Sequence, residues 1–158
     1  MFVSHTVMSY LDRLGVEHEV VAHRHTACSS ETATAAHIER RQLAKAVLMR
    51  TEQDYVLAVV PASHYVNPIA LQQLLGSAEM TLAHEDELPY IFRDCEAGAI
   101  PIVGSAFGIK TAFDDNLLQL KDVYFEAGDH EHLLHVRDRD FMRLVGSETH
   151  GSISRRAT

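Results

Sequence analysis

The sequence predicts one mixed α/β domain, because helical and strand patterns alternate along the chain and no linker divides them. A length of 158 residues allows one sizeable core, and 46% hydrophobic with 23% charged residues is typical of a globular protein. Two segments, 42–50 and 54–63, are apolar on both strand faces and are separated by a short polar stretch. They predict a hairpin at the centre of the sheet.

The first half of the chain also contains a strand and three helical patterns. The helical spacing of residues 7–14 ends at Gly15, and the segment 16–23 is typical of a strand. The serines and small residues of 29–38 predict a helix packed closely on the sheet. A third helix is expected to begin with Asn67 as its cap and to end at Gly76.

The second half is less regular. Residues 79–92 predict a short strand and an acidic helix interrupted by proline, and residues 94–115 form a glycine-rich, irregular segment. The segments 123–128 and 131–137 predict a second hairpin, and a final helix is expected to begin with Asp138 as its cap and to end at Gly146. The domain therefore occupies 1–146, and the tail 147–158 is predicted to be disordered because it lacks periodicity.

Composition excludes several classes of protein. The formal net charge of −8 argues against non-specific coating of nucleic acid, which depends on Lys and Arg neutralising phosphates. No apolar run is long enough to span a bilayer and the N-terminus does not resemble a signal peptide, so a cytoplasmic protein is expected. Cys28 and Cys95 are expected to be free thiols. Basic residues cluster locally at Arg40, Arg41, Lys45 and Arg50, and at Arg137, Arg139 and Arg143.

Lys45 is a charged residue inside one of the two apolar strand segments. With the two-residue period of a strand, it shares a face with Leu43 and Val47. An ammonium group in a covered sheet loses hydration unless it meets an anion, a set of acceptors or a cleft. Lys45 is therefore predicted to point into a pocket, or alternatively to pack its stem on apolar neighbours while its head reaches water.

The segment 97–104, with the sequence AGAIPIVG, is long and irregular enough to be a binding loop. Gly98 and Gly104 permit close approaches that a side chain would forbid, and backbone N–H groups of such a loop can face a ligand oxygen. The same residues are equally typical of a structural turn.

Other chemistry is poorly supported. Among 11 histidines, the pairs His23/His25 and His130/His132 have a spacing that can place two imidazoles on one strand face, but no metal-binding motif accompanies them. No metal is therefore predicted. Cys95 could act as a thiolate nucleophile, although a small buried cysteine is the commoner case. Hydrolase elbow, Walker and dinucleotide motifs are all missing from the sequence.

Six segments resemble, in order, the blocks of the YbaK / aminoacyl-tRNA synthetase-associated family. They are QLAKAVLMR, YVLAVVPAS, DCEAGAIPIVG, FGIKTAFDD, AGDHEHLLHV and DFMRLVG. The resemblance implies a compact domain with a curved, barrel-like mixed sheet flanked by helices. It also implies hydrolysis of mischarged aminoacyl-tRNA without a cofactor.

The resemblance also suggests which residues form the site. Lys45, Gly98 and His130 fall at positions that it marks as catalytic or as bordering the cleft. Substrate-binding positions are expected among the other residues of the matching blocks, namely Ala99, Ile100, Pro101, Ile102, Gly104, Asp114 and Gly128. Family editing enzymes commonly carry a proline four residues after the glycine, whereas here Pro101 comes third and Ile102 fourth. This departure leaves the accepted amino acid open.

The implied chemistry is physically simple, because an aminoacyl ester is already activated. Water needs orientation and the developing oxyanion needs stabilisation, which loop N–H groups and Lys45 would supply. In relatives, the ribose hydroxyl of the substrate is proposed to activate the water. A pocket walled by Gly98, Ala99 and Ile100 would admit alanine, serine or cysteine, with the proline tRNA as the carrier that the resemblance suggests.

The expected partner is the 3′ acceptor end of an aminoacyl-tRNA, with help from an aminoacyl-tRNA synthetase and with no membrane or DNA. A monomer or weak homodimer is expected. Two other functions are consistent with the residues. In the first, the chain is a non-catalytic module that binds an amino acid, a nucleotide or a protein. In the second, it is a thiol hydrolase that uses Cys95.

Overall fold

The computed structural model describes residues 3–77 and 79–157. These residues contain five α-helices, which are α1 (His5–Leu14), α2 (Ser29–Ala35), α3 (Pro68–Leu75), α4 (Leu88–Ile91) and α5 (Asp138–Val145). They also contain ten strands, which are β1 (Glu19–Ala22), β2 (Leu43–Arg50), β3 (Tyr55–Pro61), β4 (His64–Val66), β5 (Thr81–Leu82), β6 (Lys110–Asp114), β7 (Asp122–Glu126), β8 (His132–Arg137), β9 (Thr149–Gly151) and β10 (Ser154–Arg156). The predicted mixed α/β class is confirmed.

One large mixed sheet organises the fold. Its strands follow the order β1-β8-β7-β2-β3-β6-β9, and β5 adds to the end of β2. The two predicted hairpins are present, since β2 pairs antiparallel with β3 and β7 pairs antiparallel with β8. Parallel pairing joins β2 to β7 and β3 to β6. The hairpin of β2 and β3 therefore lies at the centre of the sheet, as its two-sided apolar pattern predicts.

The two faces of β2 contact different parts of the core. Ala44 and Leu48 point into the main apolar cluster. On the opposite face, Leu43 belongs to a small cluster that includes Ala33 of α2, and Met49 belongs to another that includes Leu71 of α3. Lys45 follows Leu43 on this second face, between the two small clusters. The charged residue thus lies where the apolar cover of the sheet is interrupted.

The cap of α3 and the glycines that end α1 and α3 agree with the sequence, whereas the cap of α5 differs by one residue. The side chain of Asn67 accepts a hydrogen bond from the Ala70 amide at 3.2 Å, and Gly76 ends α3 in a left-handed conformation with φ of 61°. Gly15 ends α1 in the same way. Helix α5 begins at Asp138 itself, so that Arg137, rather than the predicted Asp138, occupies the cap position.

Two expectations differ from the structure. Residues 147–157 are ordered rather than disordered, because β9 pairs with β6 and β10 pairs with β4. The interval 94–115, expected to be irregular, contains β6 between β3 and β9. Both segments owe their structure to non-local pairing and not to their own periodicity. None of the helices in the described residues is long and apolar enough to cross a membrane.

Candidate active site

Lys45 is half-buried in the middle of the sheet. It lies opposite Val60 of β3, and its Nζ lies 5.1 Å from the centroid of the Tyr65 ring. Burial lowers the pKa of the Lys45 ammonium group, and the nearby positive charge of Arg40 lowers it further. Such a site favours a negatively charged or oxygen-rich ligand, because that ligand would replace the lost hydration.

A cleft of about 90 Å³ opens beside Lys45. It is lined by Ser29, Leu43, Ala44, Lys45, Ala46, Gly98, Ile100 and Glu126. This volume exceeds the ~10–15 Å³ that one water needs and is well below the ~300 Å³ at which pockets for drug-sized molecules begin. The cleft is therefore suited to a small chemical group with a polar end.

Glu126 is the acidic residue of the cleft, and no motif in the sequence marks it. The parallel register pairs Ala44 with Phe125, so the next step along both strands brings Glu126 beside Lys45. Glu126 is only 7% exposed, and its Oε2 atom is buried without a hydrogen-bond partner in the described part of the chain. Its signal in the sequence is weak, because a lone glutamate at the end of a strand is usually exposed.

The electrostatics of Glu126 follow from this position. Burial raises the pKa of the Glu126 carboxyl to about 7, the charge on Asp129 acts in the same direction, and the Thr32 hydroxyl acts against them. No salt bridge between Lys45 and Glu126 occurs among the described residues, although both line the cleft. The cleft that both side chains line is the space available to a ligand.

The loop after Ala97 forms one wall of the cleft. Gly98 has φ of 86°, a conformation that favours glycine, and an added Cβ would lie 3.1 Å from Cε1 of His130. The Ala99 amide donates to the Glu96 carbonyl at 3.0 Å, whereas the amides of Gly98 and Ile100 have no acceptor within the described residues. Because both residues line the cleft, these two amides are candidate donors to a ligand there.

His130 lies behind this loop and does not line the cleft that the structure describes. Its Nε2 is 2.7 Å from the Ala97 carbonyl oxygen, and its ring lies against Gly98. The residue itself has φ of 62° and is buried. This geometry allows His130 to position the loop, while direct contact with a small ligand in the cleft would require the loop to move.

The other predicted loop residues separate into two groups. Ile100 lines the cleft, and Ala99 and Pro101 are buried beside it along the chain. Ile102 is fully buried in the main core, to which Ile100 also belongs, and it is absent from the lining of the cleft. Gly104 lies so close to Thr111 and the Ile109 carbonyl that a Cβ would clash with both. Ile102 and Gly104 thus anchor the loop, and the proline-to-isoleucine departure falls in the core instead of the cleft.

Asp114 and Gly128 are also outside the cleft. Asp114 is fully buried, and its carboxylate accepts hydrogen bonds from the Ile153 amide at 3.0 Å and from Asn116 Nδ2 at 2.9 Å. Gly128 has φ of 107° and packs against Ser4 and Cys95. Both residues hold the fold together at positions that the sequence pattern assigns to the substrate.

The thiol and histidine alternatives find little geometric support. Burial raises the pKa of the Cys95 thiol to about 12, which leaves almost no thiolate at neutral pH. Cys95 contacts Asp94 and is absent from the residues that line the cleft. Within the described ranges, no group of three His, Cys, Asp or Glu side chains is arranged to hold a metal ion.

The fold and the small cleft define a compact mixed α/β domain with a half-buried lysine in its central strand. A family model described as aminoacyl-tRNA editing domain matches residues 23–144, and the chain belongs to this family. The resemblance to the YbaK type is thereby confirmed, and editing of aminoacyl-tRNA is the general function that the family supports. No curated protein matches the chain.

Solved structures show the same fold at low sequence identity. A hypothetical protein, APE2540, has a TM-score of 0.84 at 20% identity, with 96% of this chain and 100% of that one covered. A proposed trans-editing enzyme for prolyl tRNA synthetase has a TM-score of 0.82 at 20% identity, with 98% and 99% covered. A proposed signal transduction protein from Marinobacter aquaeolei VT8 has a TM-score of 0.77 at 18% identity, with 97% of this chain and 31% of that one covered.

Proposed function

We propose that this protein is a trans-acting hydrolase that removes a small amino acid from mischarged tRNA. Alanine, serine and cysteine are the candidate amino acids, and the proline tRNA is the candidate carrier. The observation that carries the proposal is the half-buried Lys45, which shares a cleft of about 90 Å³ with Glu126 and the Gly98 loop. Membership of the aminoacyl-tRNA editing family supports the same substrate class.

Each wall of the cleft has a role in ester hydrolysis. The ester carbonyl would face the free amides of Gly98 and Ile100, which stabilise the oxyanion as it forms. Lys45 would hold the phosphate of the terminal nucleotide or add to the stabilisation of the oxyanion. His130 would act as a positioning residue, since it holds the Ala97 carbonyl from behind the loop.

Glu126 is the group that can accept a proton from water. A carboxyl with a pKa of about 7 is partly ionised at neutral pH and is matched to general-base catalysis there. Glu126 would take a proton as the water oxygen bonds to the ester carbonyl carbon. The same proton would then pass to the ribose oxygen as the ester bond breaks, which releases the free amino acid and the tRNA.

The dimensions of the cleft favour a small amino acid. Ile100 is 8% exposed and Ala99 is fully buried, so a bulky side chain would have to displace the packed loop. A hydrolytic pocket of this size acts as a second sieve after the synthetase that charges the tRNA. It is needed because a synthetase discriminates weakly against amino acids that are smaller than or isosteric with its own. Alanine, serine and cysteine fit within such a sieve.

The test is deacylation of alanyl-, seryl- and cysteinyl-tRNA for proline by the purified protein and by its Lys45→Ala variant. We expect hydrolysis well above the buffer rate for the parent protein and a loss of at least 100-fold in the variant, which is typical of removing an electrostatic group. Lys110→Ala is the matched control. Lys110 is exposed and pairs with Val56, four residues and roughly 13 Å along β3 from the partner of Lys45.

Two results would contradict the proposal. Equal activity of Lys45→Ala and Lys110→Ala would remove Lys45 from the site. No hydrolysis of any of the three substrates by folded parent protein would favour a binding module, which a rise in melting temperature with added ligand would then reveal.

A further inference from the structure

The small sheet of β4 and β10 presents different side chains on its two faces. Tyr65 lies opposite Arg155, and His64 lies opposite Arg156. Because successive side chains of a strand point to opposite faces, Tyr65 and Arg155 share one face, and His64 and Arg156 share the other. The Tyr65 ring lies 5.1 Å from the Nζ of Lys45, so the first face is on the side of the cleft. The face with Arg156 is turned away from the cleft.

A groove of about 400 Å³ lies on this second face. Its lining includes Arg41, Pro61, Ser63, His64, Gln119 and Arg156. Pro61 pairs with Ala44 and its neighbour Val60 pairs with Lys45, so Pro61 and Lys45 are on opposite faces of the central hairpin. None of the described residues that line the groove also lines the cleft. The groove is therefore a second concave site, separate from the candidate active site.

Four separate segments of the chain meet at this groove. They are the 3₁₀ helix Arg40–Gln42 before β2, the turn between β3 and β4, the 3₁₀ helix Asp115–Gln119 after β6, and β10. The Ser63 carbonyl accepts a hydrogen bond from the Ala157 amide at 2.9 Å, which holds the end of the chain beside the groove. Its volume is within the ~300–1,000 Å³ typical of pockets for small molecules. The groove thus has the dimensions of a site for one small molecule.

The charge of the groove is positive, since no Asp or Glu is among the described residues that line it. Arg156 is exposed and has no ion-pair partner in the described part of the chain. Arg41 contacts the exposed Glu39 through its Nε, which lies 2.6 Å from Oε2, and its two terminal nitrogens contact no carboxylate of the described residues. In a protein of net charge −8, such a local excess of positive charge indicates an anionic ligand.

The donors of the groove favour a phosphate group over a carboxylate. Each guanidinium group can donate parallel hydrogen bonds to two oxygens of the same ligand. A single carboxylate has two oxygens and satisfies one such group, whereas a phosphate or diphosphate has enough oxygens for both Arg41 and Arg156. Ser63, His64 and Gln119 add neutral groups that can form hydrogen bonds with the rest of a polar molecule.

Larger partners match the groove less well. A long nucleic acid needs a series of cations along its backbone, and Arg40 and Arg155, the neighbours of the two groove arginines, do not line the groove. A protein partner would need an apolar centre, whereas Pro61 and Leu120 are the apolar members of the described lining. A small phosphorylated molecule needs only the two arginines and the neutral groups beside them.

We propose that the groove lined by Arg41 and Arg156 is a second binding site, which takes a phosphorylated small molecule of the size of a nucleotide. The inference goes beyond the proposed function and does not depend on it, because the groove and the cleft share no described residue. A ligand in the groove would join β10 to the segment before β2. Binding would therefore stabilise the C-terminal strand as well as the fold.

The test measures binding of ADP at low salt by isothermal titration calorimetry, with inorganic pyrophosphate as the competitor and adenosine as the control ligand. Two double variants remove the same charge from adjacent residues. Arg41→Ala with Arg156→Ala changes the groove, and Arg40→Ala with Arg155→Ala changes exposed residues outside it. Lys45→Ala shows whether ADP binds in the cleft instead. Circular dichroism establishes that each variant is folded.

We expect the groove variant to bind ADP roughly ten-fold more weakly than the parent protein, or worse, because it loses the charge-assisted hydrogen bonds of both arginines. The Arg40/Arg155 variant and Lys45→Ala should stay within about two-fold of the parent, since their charges lie outside the groove and are screened. Pyrophosphate should compete with ADP, and adenosine should bind far more weakly. In the parent protein, saturating ADP should slow hydrogen exchange of the β10 amides.

Several results would overturn the inference. ADP that does not bind to folded parent protein, or that binds equally to the two double variants, would remove the groove as its site. Loss of ADP binding in Lys45→Ala alone would place the nucleotide in the cleft. Adenosine that binds as well as ADP would exclude recognition of the phosphate, and unchanged exchange of β10 with ADP bound would exclude a ligand beside this strand.

These outcomes are separate from those of the deacylation experiment. ADP binding that is lost only in the groove variant supports the second site even if no tested tRNA is hydrolysed. Hydrolysis by a parent protein that does not bind ADP would support the proposed function and overturn the second site.

Discussion

Two buried carboxylates, each at the end of a strand of the large sheet, have opposite environments. Asp114 ends β6, is fully buried and accepts hydrogen bonds from Asn116 and from the Ile153 amide. Glu126 ends β7, is nearly as buried and keeps one oxygen without a partner while lining the cleft. The first carboxylate is satisfied by the fold, and the second is left for a ligand.

This difference separates structural from functional polar residues. A buried polar group without a hydrogen-bond partner costs free energy, so its retention in a cleft indicates that a substrate or water supplies the missing partner. A fully satisfied group stabilises the fold and has no free capacity for a substrate. The family resemblance predicts Asp114 at the substrate and does not mark Glu126, whereas in the structure Glu126 lines the cleft and Asp114 does not.

The largest expected effect is on catalysis at Glu126. Glu126→Gln keeps the shape of the side chain but cannot accept a proton, so deacylation should fall by roughly 10²–10⁴-fold. The parent activity, corrected for the buffer rate, should rise as pH increases through about 7, whereas the residual activity of the variant should lack this step. Steady-state rates between pH 5.5 and 8.5 measure both effects.

Glu52→Gln, an exposed carboxylate in the turn between β2 and β3, is the control for that measurement. If Glu126→Gln and Glu52→Gln were equally active, Glu126 would not be the base, and activation by the ribose hydroxyl would be favoured.

The next effect is on stability at Asp114. Asp114→Ala leaves the Ile153 and Asn116 donors unpaired and should cost about 3 kcal/mol, or roughly 6–12 °C in melting temperature for a chain of this size. Hydrogen exchange of the β10 amides should increase, because the anchor of the tail is lost. Asp115→Ala, which removes only an exposed ion pair to His150, should change the melting temperature far less.

A third prediction concerns how the free energy of unfolding depends on pH. The folded-state pKa of Glu126 is raised from 4.5 to about 7, so its carboxyl destabilises the fold as it ionises. Relative to Glu126→Gln, the parent protein should lose on the order of 3 kcal/mol as pH rises from about 4.5 to above 7. Urea unfolding of both proteins at pH 5 and pH 8 measures this difference, and a constant difference would contradict the burial argument.

The smallest expected effect is at Cys95. Because burial raises the pKa of this thiol to about 12, Cys95→Ala should leave the deacylation rate within about two-fold of the parent value. Complete loss of activity in a folded Cys95→Ala variant would revive the thiol hydrolase hypothesis. Circular dichroism would establish that the variant is folded.

Some parts of the fold could be predicted because their signals are local. The caps at Asn67 and Gly76 and the two-sided apolar pattern of the central hairpin each depend on a few neighbouring residues. In contrast, β6 and the C-terminal strands could not be recognised, because pairing with distant strands stabilises them. Ile153 shows the reason, since a single apolar residue has no periodicity and yet is fully buried.

The sequence by itself determined the class of the fold, the central hairpin and the position of Lys45 at a cleft, because these follow from local periodicity and from a charge placed in an apolar strand. Only the tertiary structure decided which residues share the cleft. It brought Glu126 next to Lys45 through a parallel register and placed His130 behind the loop. It also placed Arg155 opposite Tyr65 and Arg156 opposite His64. Such proximities arise between residues far apart in sequence, and no local pattern encodes them.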